Sequence, residues 1–108
     1  MAAGKEFVQY IADQISGAGE IRYRMMFGAY GIYCDDKMFG IVGDGQLFVK
    51  MTKAGGDVWP GLPEVPPYEG AKPYYLVEDV DDGARLTAFV AATCEELPLP
   101  KSRKNERK

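Results

Sequence analysis

Residues 25–50 read MMFGAYGIYCDDKMFGIVGDGQLFVK, and this stretch decides the fold. Three apolar runs, at residues 29–34, 38–42 and 47–51, are separated by two short polar breaks. The second break is the dipeptide Asp44-Gly45, which favours a two-residue hairpin turn because that turn needs positive φ at both central residues. We therefore expect residues 25–51 to form an antiparallel meander.

A turn at the second break fixes the register of the hairpin: Val42 pairs with Leu47, and Ile41 pairs with Phe48. Strict alternation then places Phe39, Ile41 and Phe48 on the same face of the sheet. Both faces of this hairpin are apolar, whereas a sheet with one solvated face alternates apolar and polar residues. The three residues therefore form a candidate surface for a partner protein or for self-association as a homodimer. The alternative is that the proline-rich loop over residues 59–73 covers them.

The segments on either side of the meander predict helices. Residues 5–16 and 84–97 each carry apolar residues at helical spacing. Thr52 is suited to cap a short helix after the meander, and Asp81 or Asp82 to cap the last one. Residues 74–78, which read YYLVE, predict the last strand. The predicted fold class is α+β, with two layers: an antiparallel sheet of about five strands and helices at the N- and C-terminal ends.

The charges divide the chain into a domain at residues 1–97 and a basic tail at residues 98–108. Of the 13 Lys and Arg residues, five lie in the final KSRKNERK, while the whole chain has a net charge of −3. The acidic remainder argues against binding of duplex DNA, because phosphate contacts dominate that affinity. The tail is expected to be disordered, and it offers only a weak possibility of nucleic-acid binding.

The composition removes several classes of catalytic site. There is no histidine in the chain, so Ser-His-Asp and Cys-His arrangements are excluded. The two cysteines, Cys34 and Cys94, lie in apolar stretches and are expected to be buried thiols, with a disulfide left open. We predict no catalytic residue, no metal site and no cofactor, and hence no enzyme.

Two further observations concern location. No run approaches the ~20 apolar residues that a membrane-spanning helix needs. Lys5, Glu6 and Asp13 interrupt the segment that an export signal would need to keep apolar. We expect a cytoplasmic protein without a membrane partner.

Two sets of residues are candidates for binding. Arg22 and Arg24 alternate on the predicted strand at 21–26, so they share a side and could contact an anion. A second function, that of a small-molecule sensor, needs an aromatic pocket. The candidate residues for that pocket are Tyr30, Tyr33, Trp59, Tyr68, Tyr74 and Tyr75.

The order of motifs resembles a known family. The chain has Arg-Met-Met-Phe-Gly-Ala-Tyr-Gly-Ile-Tyr at residues 24–33 and Met-Phe-Gly at residues 38–40. Leu-Phe-Val-Lys follows the Asp-Gly turn at residues 47–50, and Pro-Tyr-Tyr stands at residues 73–75. This pattern, over about residues 5–97, resembles the N-terminal domain of the TfoX/Sxy family, in the form of a stand-alone domain.

The resemblance carries expectations about fold and function. It implies a secretion-chaperone-like fold of two layers, some examples of which dimerise. Full-length members of this bacterial family regulate competence for DNA uptake together with a transcription regulator, and they are not known as enzymes. The resemblance thus implies a non-enzymatic regulatory or protein-interaction domain, linked to competence or transcription regulation. It supplies no catalytic residues.

Overall fold

In the computed structural model, which describes residues 3–26, 28–43 and 45–98, an antiparallel sheet carries three helices on one face. The helices are α1 (Ala3–Gln14), α2 (Lys53–Val58) and α3 (Gly83–Glu96), and a 3-10 turn at Ser16–Ala18 follows α1. The strands are β1 (Ile21–Met26), β2 (Ala29–Cys34), β3 (Lys37–Gly43), β4 (Gln46–Val49), β5 (Glu64–Val65) and β6 (Tyr74–Val77). The predicted α+β fold with two layers is confirmed.

The sheet has six strands in the order β1-β2-β3-β4-β6-β5, with antiparallel neighbours throughout. The additional strand is β5, whose two residues lie within the proline-rich segment and pair with β6. Its position at the edge of the sheet explains why proline is tolerated around it, since an edge strand leaves one side of its backbone unpaired.

The predicted hairpin register is confirmed, because Ile41 lies opposite Phe48 and Val42 lies opposite Leu47. Gly45 has a φ of 72°, as the predicted turn requires. Asp44, the other residue of that turn, lies outside the described residues, as do residues 99–108 of the predicted basic tail.

The helices cover one face of the sheet through the predicted apolar stripes. Val8 and Ile11 of α1, and Ile15 directly after it, have no exposed surface, and Phe89 and Val90 of α3 are equally buried. They pack against alternate residues of the sheet in one continuous core. The side of the sheet that contacts the helices is called the inner face below, and the opposite side is called the outer face.

The two later helices begin at capped positions. The Thr52 hydroxyl accepts a hydrogen bond of 3.0 Å from the Gly55 N–H at the start of α2. The Asp82 carboxylate accepts one of 3.2 Å from the Arg85 N–H at the start of α3. Both caps satisfy backbone donors that have no partner within the helix.

A β-bulge in β3 changes which side chains share a face. Tyr33 pairs with Met38 and Ile32 pairs with Gly40, so Phe39 is an extra residue without a partner on β2. An extra residue of this kind interrupts the alternation of side chains between the faces. Phe39 accordingly lies in the inner core with no exposed surface, whereas Met38 packs on the outer face.

The prediction that Phe39 shares a face with Ile41 and Phe48 is therefore wrong. Ile41 and Phe48 do share the outer face, as the register required. The assignment of Phe39 assumed unbroken alternation along β3, and the bulge breaks it. Gly40 permits the close approach of the strands, since a Cβ at this position would lie 2.4 Å from the Phe48 carbonyl oxygen.

Candidate functional site: the outer face of the sheet

The outer face carries an apolar cluster that is separate from the inner core. Ile41, Phe48 and Leu76 form its centre, with 8%, 6% and 7% of their surfaces exposed. Ala29, Met38, Val65 and Tyr74 pack around them. Every member of this outer-face cluster lies in a strand, so the sheet itself supplies the surface.

A row of paired residues crosses the outer face from one strand to the next. Arg24 pairs with Gly31, Gly31 with Ile41, Ile41 with Phe48, and Phe48 with Leu76. Directly paired residues in an antiparallel sheet present their side chains on the same face. The row is apolar from Ile41 to Leu76 and ends in the cation of Arg24 on β1. Gly31 has no side chain, so it leaves a gap between the two parts.

The two candidate anion-binding arginines share the outer face, as predicted from their alternation. Arg22 pairs with Tyr33 across the strands and lies 2.9 Å from Glu20 in an exposed ion pair. The hydrogen bond and the charge of Glu20 raise the pKa of Arg22. Arg24 has no ion-pair partner among the residues that the structure describes. Anion binding by the pair stays a prediction, with Arg24 as the better placed of the two.

An open groove of about 690 Å³ runs over the apolar cluster. Its lining residues are Gly28, Ala29, Met38, Ile41, Gly43, Gln46, Phe48, Pro67, Tyr68 and Tyr74. Pro67 and Tyr68 come from the proline-rich loop, and 63% of the Tyr68 surface is exposed. The loop therefore covers one end of the outer face and leaves the groove open beside it.

The polar groups at the groove are few and neutral. Burial raises the pKa of Tyr74, and the charge of Tyr68 makes a smaller contribution in the same direction. Gln46 adds a side-chain amide at the rim. None of the described lining residues is charged.

The predicted aromatic pocket is not a single pocket, because its members divide between the two faces. Trp59 and Tyr75 pack on Phe89 of α3, with ring centroids 5.7 Å and 6.1 Å from that ring. Tyr30 packs on the same inner side, against Tyr23 at 5.9 Å.

On the outer face are Tyr33 and Tyr74, and of the predicted aromatic residues only Tyr68 and Tyr74 line the groove. The division follows from strand geometry, since the consecutive residues Tyr74 and Tyr75 must point to opposite faces.

Several residues of the groove were not anticipated from the sequence. Met38 reaches the outer face because of the bulge. The sequence signal for the bulge was Gly40, which follows Phe39, since a glycine inside a strand often marks a bulge. Leu76 joins the cluster because β6 pairs with β4, across the long proline-rich segment. No local pattern in the sequence indicates that pairing.

The two thiols lie away from the outer face. Cys34 of β2 and Cys94 of α3 are buried in the inner core, as predicted. Both are free thiols, so the disulfide that the sequence left open is not formed. Burial is the main cause that raises the pKa of each thiol. The Cys34 thiol donates a hydrogen bond of 3.6 Å to the Ala18 carbonyl oxygen. Cys94 also borders a smaller cavity of about 260 Å³, together with Asp35 and Lys37.

Within the described ranges, no helix combines the length and the hydropathy needed to cross a membrane. The same residues contain no group of three or more Cys, Asp or Glu side chains that could hold a metal ion.

Comparison with known proteins shows the family to which this chain belongs. The family model described as TfoX N-terminal domain matches residues 13–102. The chain belongs to the TfoX N-terminal domain family. The matched segment contains all six strands, so the outer face is part of the family domain. The resemblance stated from the motifs is thereby confirmed.

A relative from Spirochaeta aurantia is similar along the whole chain. It is described as an uncharacterized 12.7 kDa protein in the trpE 5′ region, and it is 34% identical over 110 aligned positions. The alignment covers 100% of this chain and 95% of the relative. This TfoX N-terminal domain therefore has a relative of nearly the same length.

Proposed function

We propose that this TfoX N-terminal domain is a non-enzymatic regulatory domain that acts through protein contacts on its outer face. The observation that carries the proposal is the outer-face cluster itself: its members all lie in strands, and an open groove runs over them. The central side chains are nearly buried by their neighbours, so a partner would reach the cluster through the groove, beside the exposed ring of Tyr68. Exposed apolar patches are typical of surfaces that bind another protein.

The row from Arg24 to Leu76 indicates the chemistry of the partner. Its centre at Ile41 and Phe48 suits apolar side chains, and Arg24 at its end suits a carboxylate. A second copy of this chain is the first partner to consider, because the chain itself supplies carboxylates that could contact Arg24. It carries 16 Asp and Glu residues against 13 Lys and Arg. A role in competence or transcription regulation is part of this proposal, supported by family membership.

Methionine oxidation offers a direct test in the unaltered protein. Met38 packs on the outer face, whereas Met25 is 68% exposed and pairs with Tyr30 on the inner side of the edge strand. The protein is treated with dilute peroxide at low and at high concentration, and the oxidation of each methionine is measured by mass spectrometry. Self-association through the outer face protects Met38 as the concentration rises and leaves Met25 unchanged. Equal oxidation of Met38 at all concentrations would overturn self-association through this face.

A further inference from the structure

The groove on the outer face has the dimensions of a small-molecule site. Its volume of about 690 Å³ falls within the roughly 300–1,000 Å³ that such sites occupy. Ile41 and Phe48 form an apolar floor, and Pro67 and Tyr68 add a wall from a different part of the chain. A floor and a wall from separate segments can surround a ligand on more than one side.

The lining also indicates the charge of the ligand. None of the described lining residues is charged, so an ionic ligand would lose hydration without gaining an ion pair. The polar groups available are the hydroxyls of Tyr68 and Tyr74 and the amide of Gln46. Each of these can both donate and accept a hydrogen bond. Within the described part of the chain, none of them is engaged in a side-chain hydrogen bond.

We propose that the groove binds an uncharged, mainly apolar small molecule that carries one hydrogen-bonding group. The apolar part lies against Ile41 and Phe48, and the hydroxyl of Tyr74 orients the polar group. This inference goes beyond the protein contacts proposed above and does not depend on them. A bound molecule would fill the depression in the outer face and change the surface that a partner protein meets, which makes the domain responsive to a ligand.

Two fluorescent probes that differ mainly in a charged group test the proposal. N-phenylnaphthylamine is neutral, and anilinonaphthalenesulfonate adds a sulfonate to the same ring system. We expect the neutral probe to bind with a dissociation constant at least about tenfold lower. The comparison is repeated at high salt, because the net charge of −3 would otherwise repel the sulfonate at long range.

Variants then place the probe in the groove. Ala29 is half-buried on the outer face and lines the groove, so Ala29→Phe should fill it and weaken binding at least about tenfold. Ala88 is exposed on α3, and Ala88→Phe is the matched control that should leave binding unchanged. Tyr74→Phe keeps the ring and removes the hydroxyl, which should weaken binding about threefold.

Three outcomes would overturn the inference. The neutral probe fails to bind, or the two probes bind equally well at high salt, or Ala29→Phe affects binding no more than Ala88→Phe. Circular dichroism of both variants confirms that the fold is retained before binding is compared. A dimer through the outer face would cover the groove, because Ala29, Met38 and Phe48 belong to both. Probe binding is therefore measured at a protein concentration at which the oxidation of Met38 shows no protection, so that the two proposals are tested separately.

Discussion

Phe39 and Ile41 stand two positions apart on β3, yet their side chains lie on opposite faces of the sheet. Regular alternation would put them on the same face. The bulge at Phe39 adds one residue between Met38 and Gly40 relative to β2, and this moves Phe39 into the inner core. The bulge therefore determines which side chains of the central strand remain available on the outer face.

The bulge makes glycine necessary at position 40. In Gly40→Ala the new Cβ would lie 2.4 Å from the backbone oxygen of Phe48, so the strands must separate. We expect a loss of about 2–4 kcal/mol in the free energy of unfolding. The matched control is Gly17→Ala, whose Cβ would make an ordinary contact of 3.7 Å with Thr87. Urea unfolding of the two variants measures the difference, and equal losses would contradict this role of Gly40.

The two phenylalanines of the hairpin should differ in their effect on stability. Phe39 is fully buried in the inner core, and Phe39→Ala should cost about 3–5 kcal/mol. Phe48 borders the open groove, so Phe48→Ala should cost less, about 1–3 kcal/mol, since water can enter the space that is left. Urea unfolding measures both values. A larger loss for Phe48→Ala would show that the assignment of the faces is incorrect.

Much of the fold followed from local patterns, because the turns and helices depend on short stretches of sequence. Gly45 and the spacing around it fixed the pairing of Ile41 with Phe48, and apolar stripes located α1 and α3. The side of the sheet on which Phe39 lies depended on one inserted residue in β3. The apolar periodicity of the sequence does not reveal such an insertion. The partner of β6 depended on the course of a long proline-rich segment, which local propensity does not determine.

The candidate site was less predictable than the fold. Of two adjacent candidates for the aromatic pocket, Tyr74 lines the groove, but Tyr75 packs on Phe89 in the inner core. A list of aromatic residues contains no information about faces until the register of each strand is known. Met38 reaches the outer face through the bulge, so the outer-face cluster, which spreads over five strands, emerged only from the tertiary structure.

The buried thiols predict how stability depends on pH. Cys34 and Cys94 have raised pKa values in the folded state, mainly because of burial. Above the unfolded pKa of about 8.5, the unfolded chain releases thiol protons that the folded chain retains, so stability falls as pH rises. The loss from Cys94, whose thiol stays protonated in the folded chain, should reach about 1 kcal/mol by about pH 9.5, and Cys34 adds a loss of the same sign.

Urea unfolding in the presence of a reducing agent, from about pH 7.5 to about pH 9.5, measures this loss. The reference protein is the double variant Cys34→Ala, Cys94→Ala, which should show a much shallower dependence on pH. If the wild type and the double variant lose stability in parallel over this range, the thiols are not responsible for it.

The measurement that tests the role of the outer face most directly is the solution mass by light scattering, over a range of protein concentrations. The account predicts that the wild type reaches twice the chain mass of 11.9 kDa. Met38→Lys should remain a folded monomer, because it places a charge within the apolar outer-face cluster. Met25→Lys, on the opposite side of β1, should dimerise like the wild type. A wild type that stays monomeric at all concentrations, or a dimer that Met25→Lys disrupts and Met38→Lys does not, would contradict the account.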